Sequence, residues 1–266
     1  MSRIFEHAIK VTLREEDHRY FDQNGQEYIS QSKFMEQFKN KFPTEFASKN
    51  SAIKQLRKEG VPFTGDDIDQ LQGEIKEGWN KNNKNARDHG NNIHNPLEMY
   101  GKGHHDKVHK SFIPLCQAVY ADHLSAGRWW NEQVVFLTYP YIAGTMDLPV
   151  ARTSSFNPIM DIDDFKTNIN RGIEFRDPYK KFMKFPIDHL EDCNYNHYAL
   201  QLSLYGYMLK ATFGLRVGSL NIRYIKADVK DGILKSWEMV KYPVPFMLYE
   251  IESMLEWHVA TIEAKQ

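Results

Sequence analysis

Cysteine is almost absent: Cys116 and Cys193 are the only two in 266 residues. Two distant thiols exclude a disulfide framework and a four-cysteine zinc site, and they cannot supply the four thiolates that hold an iron–sulfur cluster. Long apolar runs are missing as well. No stretch approaches the roughly 20 residues of a membrane span, so no membrane partner is expected. The opening Met-Ser-Arg-Ile-Phe-Glu-His lacks both the apolar core of a signal peptide and the acid-poor character of a transit peptide. The expected location is cytoplasmic. Neither sign of charge dominates, since the formal net charge is −1. Nucleic-acid contact would therefore have to come from a local basic patch.

What is present reads as a globular α/β chain, 41% hydrophobic and 26% charged. Residues 18–29 have the pattern of a hairpin turning at Asn24-Gly25. Ser30 or Ser32 is placed to cap a helix reaching about Phe42, and a second helix from Thr44 stops at Gly60. These residues suggest an N-terminal hairpin and helical extension over 1–65, packed on a core over 66–266. A long helix starting at Asp66 or Asp67 leads toward His94, with Pro96 expected to kink or end it. Its stretch Lys76–Arg87, rich in bases and amides, reads as a solvated face. A further helix over about 105–126 is interrupted at Pro114. Strands over 217–228 and 233–242 form a hairpin through Lys230-Asp231-Gly232, and a last helix starts near Pro245. The expected architecture is a central mixed β-sheet with helices on both faces.

One stretch carries most of the chemistry: Gly144-Thr-Met-Asp147, then Ile159-Met-Asp-Ile-Asp-Asp164-Phe-Lys166. The second part reads as a strand. Alternate residues of a strand share a face, so Ile162, Asp164 and Lys166 project together, and Asp161, Asp163 and Phe165 project oppositely. The run Val134–Leu137 is a neighbouring strand, with Asp147 beyond a Gly-Thr turn. Adjacent strands would bring the Asp147 and Asp164 carboxylates together, with the Lys166 ammonium two residues on. Paired carboxylates and water suit Mg²⁺. A β-bulge would exchange Asp163 for Asp164, a register that the strand pattern leaves open.

Gly144-x-x-Asp147 followed by Asp164-x-Lys166 resembles the PD-(D/E)XK nuclease superfamily. Gly90-x-x-x-His94, Glu132 and Gln201-x-x-x-Tyr205 occur in the order of its branch with the RecB nuclease domain and the mitochondrial genome-maintenance exonucleases. The resemblance covers roughly residues 85 to 210. It implies a restriction-endonuclease-like core and a Mg²⁺ (or Mn²⁺) held by Asp147, Asp164, His94 and the carbonyl of Phe165. It further implies Lys166 as a catalytic cation, Glu132 as an accessory acid, and Gln201 with Tyr205 against the substrate strand or a catalytic carboxylate. The expected function is a phage-type DNA exonuclease of replication, recombination or repair. The alternatives are a structure- or sequence-specific endonuclease, or a DNA-binding protein that keeps the fold without cleaving.

After Lys166 the segment Arg171–Pro186 interleaves Arg176, Lys180, Lys181 and Lys184 with Tyr179, Phe182 and Phe185. Cations that track phosphates and rings that stack on bases suit single-stranded nucleic acid. A loop pinned by its own aromatics is the competing reading. Strand preference, polarity and oligomeric state are not encoded in these patterns.

Overall fold

The computed structural model describes residues 4–60, 62–123, 128–152, 158–167 and 172–264. Packing divides the chain into two units, Met1–Asn40 with Asn92–Gln266, and Lys41–Asn91. This division departs from a boundary at residue 65, and strand pairing gives the reason. Strands β1 (Val11–Arg14), β2 (Arg19–Asp22) and β3 (Glu27–Ser30) belong to a sheet of the larger unit. β3 runs parallel to a strand from the middle of the chain, with Ile29 opposite Ile142 and Ser30 opposite Ala143. The turn at Asn24-Gly25 forms as expected, with Gly25 at φ +84° and Asp22 accepting the Asn24 and Gln26 N–H groups. Ser30 caps α1 (Gln31–Glu36) by accepting the Lys33 N–H. This helix stops well short of Phe42, because Gln37 and Phe38 bond back to Phe34 and Met35 in tight turns.

The smaller unit holds α2 (Thr44–Glu59) and the first part of α3 (Gly65–Gly101). Gly60 ends α2 at φ +72°. Thr64 and Asp67 cap α3 reciprocally, each side chain accepting the other's backbone N–H. Glu45 accepts hydrogen bonds from Gln72 and Lys76, and Phe42 meets Trp79 edge-on at 5.6 Å. Of the solvated face expected over Lys76–Arg87, residues 80–87 are exposed, whereas Lys76 and Trp79 are half-buried.

Pro96 lies inside α3 and does not end it. Ile93 and Leu97 beside it are fully buried. Their burial, roughly 1.5–3 kcal/mol each, is comparable with the ~3 kcal/mol that an interior proline costs. The long helix expected at 105–126 is instead two short 3₁₀ turns followed by α4 (Ile113–Ala121), which Pro114 starts rather than interrupts.

The remaining elements are β4 (Arg128–Trp129), β5 (Gln133–Leu137), β6 (Ile142–Met146), β7 (Leu148–Ala151), β8 (Ile159–Lys166), α5 (Asn194–Phe213), β9 (Arg216–Lys230), β10 (Ile233–Val244) and α6 (Leu248–Glu263). They form two mixed five-stranded sheets, ordered β1-β2-β3-β6-β5 and β10-β9-β8-β7-β4, where one central sheet was expected. Asp147 alone separates β6 from β7, so the chain crosses from one sheet to the other at that residue. No turn occurs at Gly144, which lies inside β6; the chain reverses over residues 138–141.

The inner strands β7 and β8 of the second sheet are buried on both faces. Met160 and Ile162 of β8 join a core with α1, α5 and α6 (Phe34, Leu204, Met254), whereas Phe165 joins a second core with α3 and α4 (Leu97, Leu115, Val119). The β8–α5–β9 crossover links two parallel strands. Among the described residues no helix is long and apolar enough to cross a membrane.

Candidate metal-binding active site

The site forms where the two sheets join. Lys166 Nζ lies 2.5 Å from Asp164 Oδ2 at the end of β8. This ion pair caps the buried Asp164 Oδ2, which has no further hydrogen-bond partner. On the other side, Asp147 Oδ2 accepts the backbone N–H of Phe165 at 2.7 Å. His94 Nδ1 approaches the same oxygen to 3.9 Å, and its ring meets the Phe165 ring edge-on at 5.8 Å. Ligand-type atoms of His94, Glu132 and Asp147 all lie within 4.8 Å of one another.

Local structure explains how each side chain arrives. The buried Ile93 and Leu97 flank His94 and fix its helix face. The Tyr120 hydroxyl is in hydrogen-bond contact with the Leu97 carbonyl and with Asn131, linking this end of α3 to the residue before Glu132. Trp129 Nε1 donates to the Gly101 carbonyl, and Trp130 packs edge-on against Phe5; both tryptophans are packing residues. Glu132 itself sits at φ +54°, a strained backbone region for a residue with a Cβ. Its N–H donates to the Asp147 carbonyl at 3.2 Å.

The charges press on one another. Although Glu132 is exposed as a residue, desolvation in the crowded cluster, and then Asp147 and Glu98, push its pKa to about 8. Burial also raises Asp164; Lys166 opposes this and Asp147 adds to it, leaving about 6. Lys166 is held above the ordinary lysine value, since Asp164 and Asp147 outweigh its own burial. Two carboxylic acids reluctant to ionise beside a third carboxylate and an imidazole form a donor set that fits a divalent cation.

Gln201 and Tyr205 share a face of α5, but they differ in role. Gln201 Nε2 reaches Asp164 Oδ1 at 3.4 Å and donates to the Tyr205 hydroxyl at 3.1 Å. Tyr205, expected with Gln201 against the substrate strand or a catalytic carboxylate, is only 3% exposed. Its ring fills the space beside Gly144, where a Cβ would stand 2.7 Å from Tyr205 Cε1. It therefore supports Gln201 from within the core. Tyr198 was missed in the sequence; Lys166 Nζ lies 4.8 Å from its ring centroid. The signal was present in its spacing, since Tyr198, Gln201 and Tyr205 are at i, i+3 and i+7 of one helix. Glu98, one turn beyond His94, was missed for the same reason.

The loop cations lie outside this cluster. Arg176, Tyr179, Lys180, Lys181, Lys184, Phe182 and Phe185 are exposed, with Tyr179 at 79%; Arg171 falls outside the described residues. Backbone, not aromatics, pins the loop. Asp177 Oδ1 accepts the Tyr179 and Lys181 N–H groups, Lys184 N–H donates to the Phe38 carbonyl, and Met183 and Ile187 are buried. Phe175, itself half exposed, packs on Tyr195 and Tyr242.

No family model matches the chain, and no curated protein matches it. Among solved structures, the crystal structure of a Eubacterium rectale protein provisionally named an exonuclease aligns with 88% of this chain and 79% of that chain. Identity is 11% and the TM-score 0.34. A likeness this slight carries no argument, and the reading of the site rests on its own geometry.

Proposed function

We propose that the chain is a metal-dependent deoxyribonuclease of the PD-(D/E)XK type, an exonuclease acting on single-stranded or end-processed DNA. The observation that carries this reading is the cluster of His94, Glu132 and Asp147 donors within 4.8 Å, beside the buried Asp164–Lys166 pair. Asp147, Asp164, His94 and Glu132 would hold Mg²⁺ or Mn²⁺. The Phe165 carbonyl is a further candidate: in an extended strand it leaves on the same edge as the Phe165 N–H, which points to Asp147. Bound there, the metal would polarise a phosphate oxygen and make its bound water acidic.

Lys166 places a fixed cation where negative charge grows on a phosphoryl oxygen, and its burial strengthens that interaction. Gln201 orients Asp164, and Tyr205 orients Gln201. Exposed Arg176, Lys180 and Lys181 are suited to phosphates, and Tyr179 to a base. Because the loop is already pinned by its backbone, its rings are free to stack at little ordering cost.

The test is end-labelled single- and double-stranded DNA and RNA incubated with Mg²⁺ or Mn²⁺, with and without EDTA, and products resolved by length. Metal-dependent shortening from an end, with covalently closed single-stranded circles resistant, is expected. Linearised circles would make it an endonuclease, and no cleavage with retained DNA binding would make it a non-catalytic binding protein.

A further inference from the structure

A strand's register is normally set by its apolar residues, because a slip of one residue moves them all to the wrong face. β8 lacks this safeguard. One face carries Met160, Ile162, Asp164 and Lys166, and the other carries Ile159, Asp161, Asp163 and Phe165. Each face has two apolar and two charged residues, so hydrophobic burial barely distinguishes the alternatives. Two adjacent carboxylates, Asp163 and Asp164, compete for the place beside the metal donors.

The far face holds what distinguishes them. Asp163 is wholly buried, with Arg223 Nε donating to its Oδ2 at 2.5 Å and Asn221 Nδ2 donating to Oδ1 at 2.7 Å. His123 Nε2 lies 3.1 Å from both Asp163 Oδ2 and Arg223 Nη2. Arg223 is 1% exposed and also donates to Asp122 at the end of α4. Asn221 and Arg223 stand opposite Asp163 and Phe165 in the β8–β9 ladder. Burying these charges carries a desolvation penalty, and apolar residues of the same volume often stabilise as well or better. Stability therefore does not account for them, whereas specifying register is a recognised use of buried charge.

The other end of β8 is pinned separately. Asp161 pairs with Arg152 at 2.7 Å and accepts the Ser219 N–H at 2.6 Å. There β9 gains a residue between Val217 and Leu220, against Met160 and Ile162. Beyond that bulge an extra residue in β8 would exchange Asp163 for Asp164.

We infer that Arg223, with His123 and Asn221, is a positioning device: it captures Asp163 on the far face and thereby delivers Asp164 and Lys166 to the metal donors. This rests on the reading of Asp164 as the active-site carboxylate. The test compares wild type, Arg223→Met and Asp163→Leu/Arg223→Met. Backbone cross-strand contacts between β8 and β9, measured by NMR, report register without any catalysis, and kcat and KM are measured below the unfolding temperature.

Arg223→Met should show altered or doubled pairing at residues 163–166, with kcat lowered about 10²-fold at unchanged KM, the scale of a small misplacement. The double variant removes the competing acid and should restore both native pairing and kcat. Arg223→Ser, which gives up the capturing guanidinium but leaves room for water at Asp163, carries the same test should Arg223→Met not fold. Native pairing with wild-type kcat in either single variant would overturn the inference, as would a folded double variant that stays mispaired. A wild type that cleaves nothing sinks the nuclease reading alone, because the pairing measurements still decide the register.

Discussion

The backbone N–H of Phe165 donates to the Asp147 carboxylate at 2.7 Å. Asp147 is the single residue between the two sheets, and Phe165 lies between Asp164 and Lys166. One hydrogen bond therefore fixes the first acid of the site to the strand that carries the second acid and the lysine.

Asp164→Asn and Lys166→Met should each lower metal-dependent cleavage by on the order of 10²–10³. Conservative shapes are needed because the pair is buried, and deleting one partner outright leaves the other charge uncompensated. Single-turnover digestion of end-labelled DNA measures the loss, and circular dichroism verifies the fold. Near-wild-type cleavage by folded Lys166→Met would remove Lys166 from the mechanism.

Metal uptake should release protons. With Glu132 near 8 and Asp164 near 6, on the order of one proton should leave at pH 7, since metal ligands bind deprotonated. Calorimetry in buffers of different ionisation heat counts it. The release should shrink as pH rises through about 8 and fall to roughly a tenth of a proton at pH 7 in Glu132→Gln, where Asp164 alone supplies it. The sign for stability follows. Carboxyls with raised folded pKa stabilise the metal-free protein below their unfolded pKa, and that contribution is lost as pH rises through about 6 and then about 8. The metal-free melting temperature should fall across that range, and Mg²⁺ should oppose the fall. A pH-independent Tm would contradict this.

Gly144→Ala should destabilise by about 1–3 kcal/mol, the usual range for overpacking. The added methyl would stand 2.7 Å from Tyr205 and 3.0 Å from the Gln31 Cβ. Displaced Tyr205 would carry Gln201 away from Asp164, so kcat should fall too. Adding Tyr205→Phe leaves the clash, but Tyr205→Leu should relieve it, and chemical denaturation of the three proteins distinguishes these outcomes.

On an Asp164→Asn background, the loop can be tested by binding alone. Lys180→Ala/Lys181→Ala should flatten the dependence of log affinity on log salt by about 0.7 for each phosphate that is no longer neutralised. Tyr179→Ala should weaken single-strand binding by roughly 1–3 kcal/mol with little change in slope. If neither variant moves affinity or slope, DNA takes another path.

Local pattern was enough for much of this protein. The alternation in β8 places Asp164 with Lys166 and Asp163 opposite, and the hairpin turns at Gly25 and Gly232, both at positive φ, are legible from residue type. The i, i+4 spacing puts Gln201 and Tyr205 on one face. What sequence spacing could not convey depends on contacts between distant segments. β3 pairs with β6, so the strands between Val11 and Ser30 belong to a sheet rather than an appendage. A one-residue break between β6 and β7 splits the expected sheet in two and puts Asp147 at the joint. Burial of Tyr205 against Gly144, which no spacing in α5 foretells, makes its ring part of the core. The choice between Asp163 and Asp164 lies with Arg223, a cation sixty residues away that no periodicity in β8 can reveal. Short-range patterns report which face a side chain takes, whereas its partner and its burial are decided only when the sheets close.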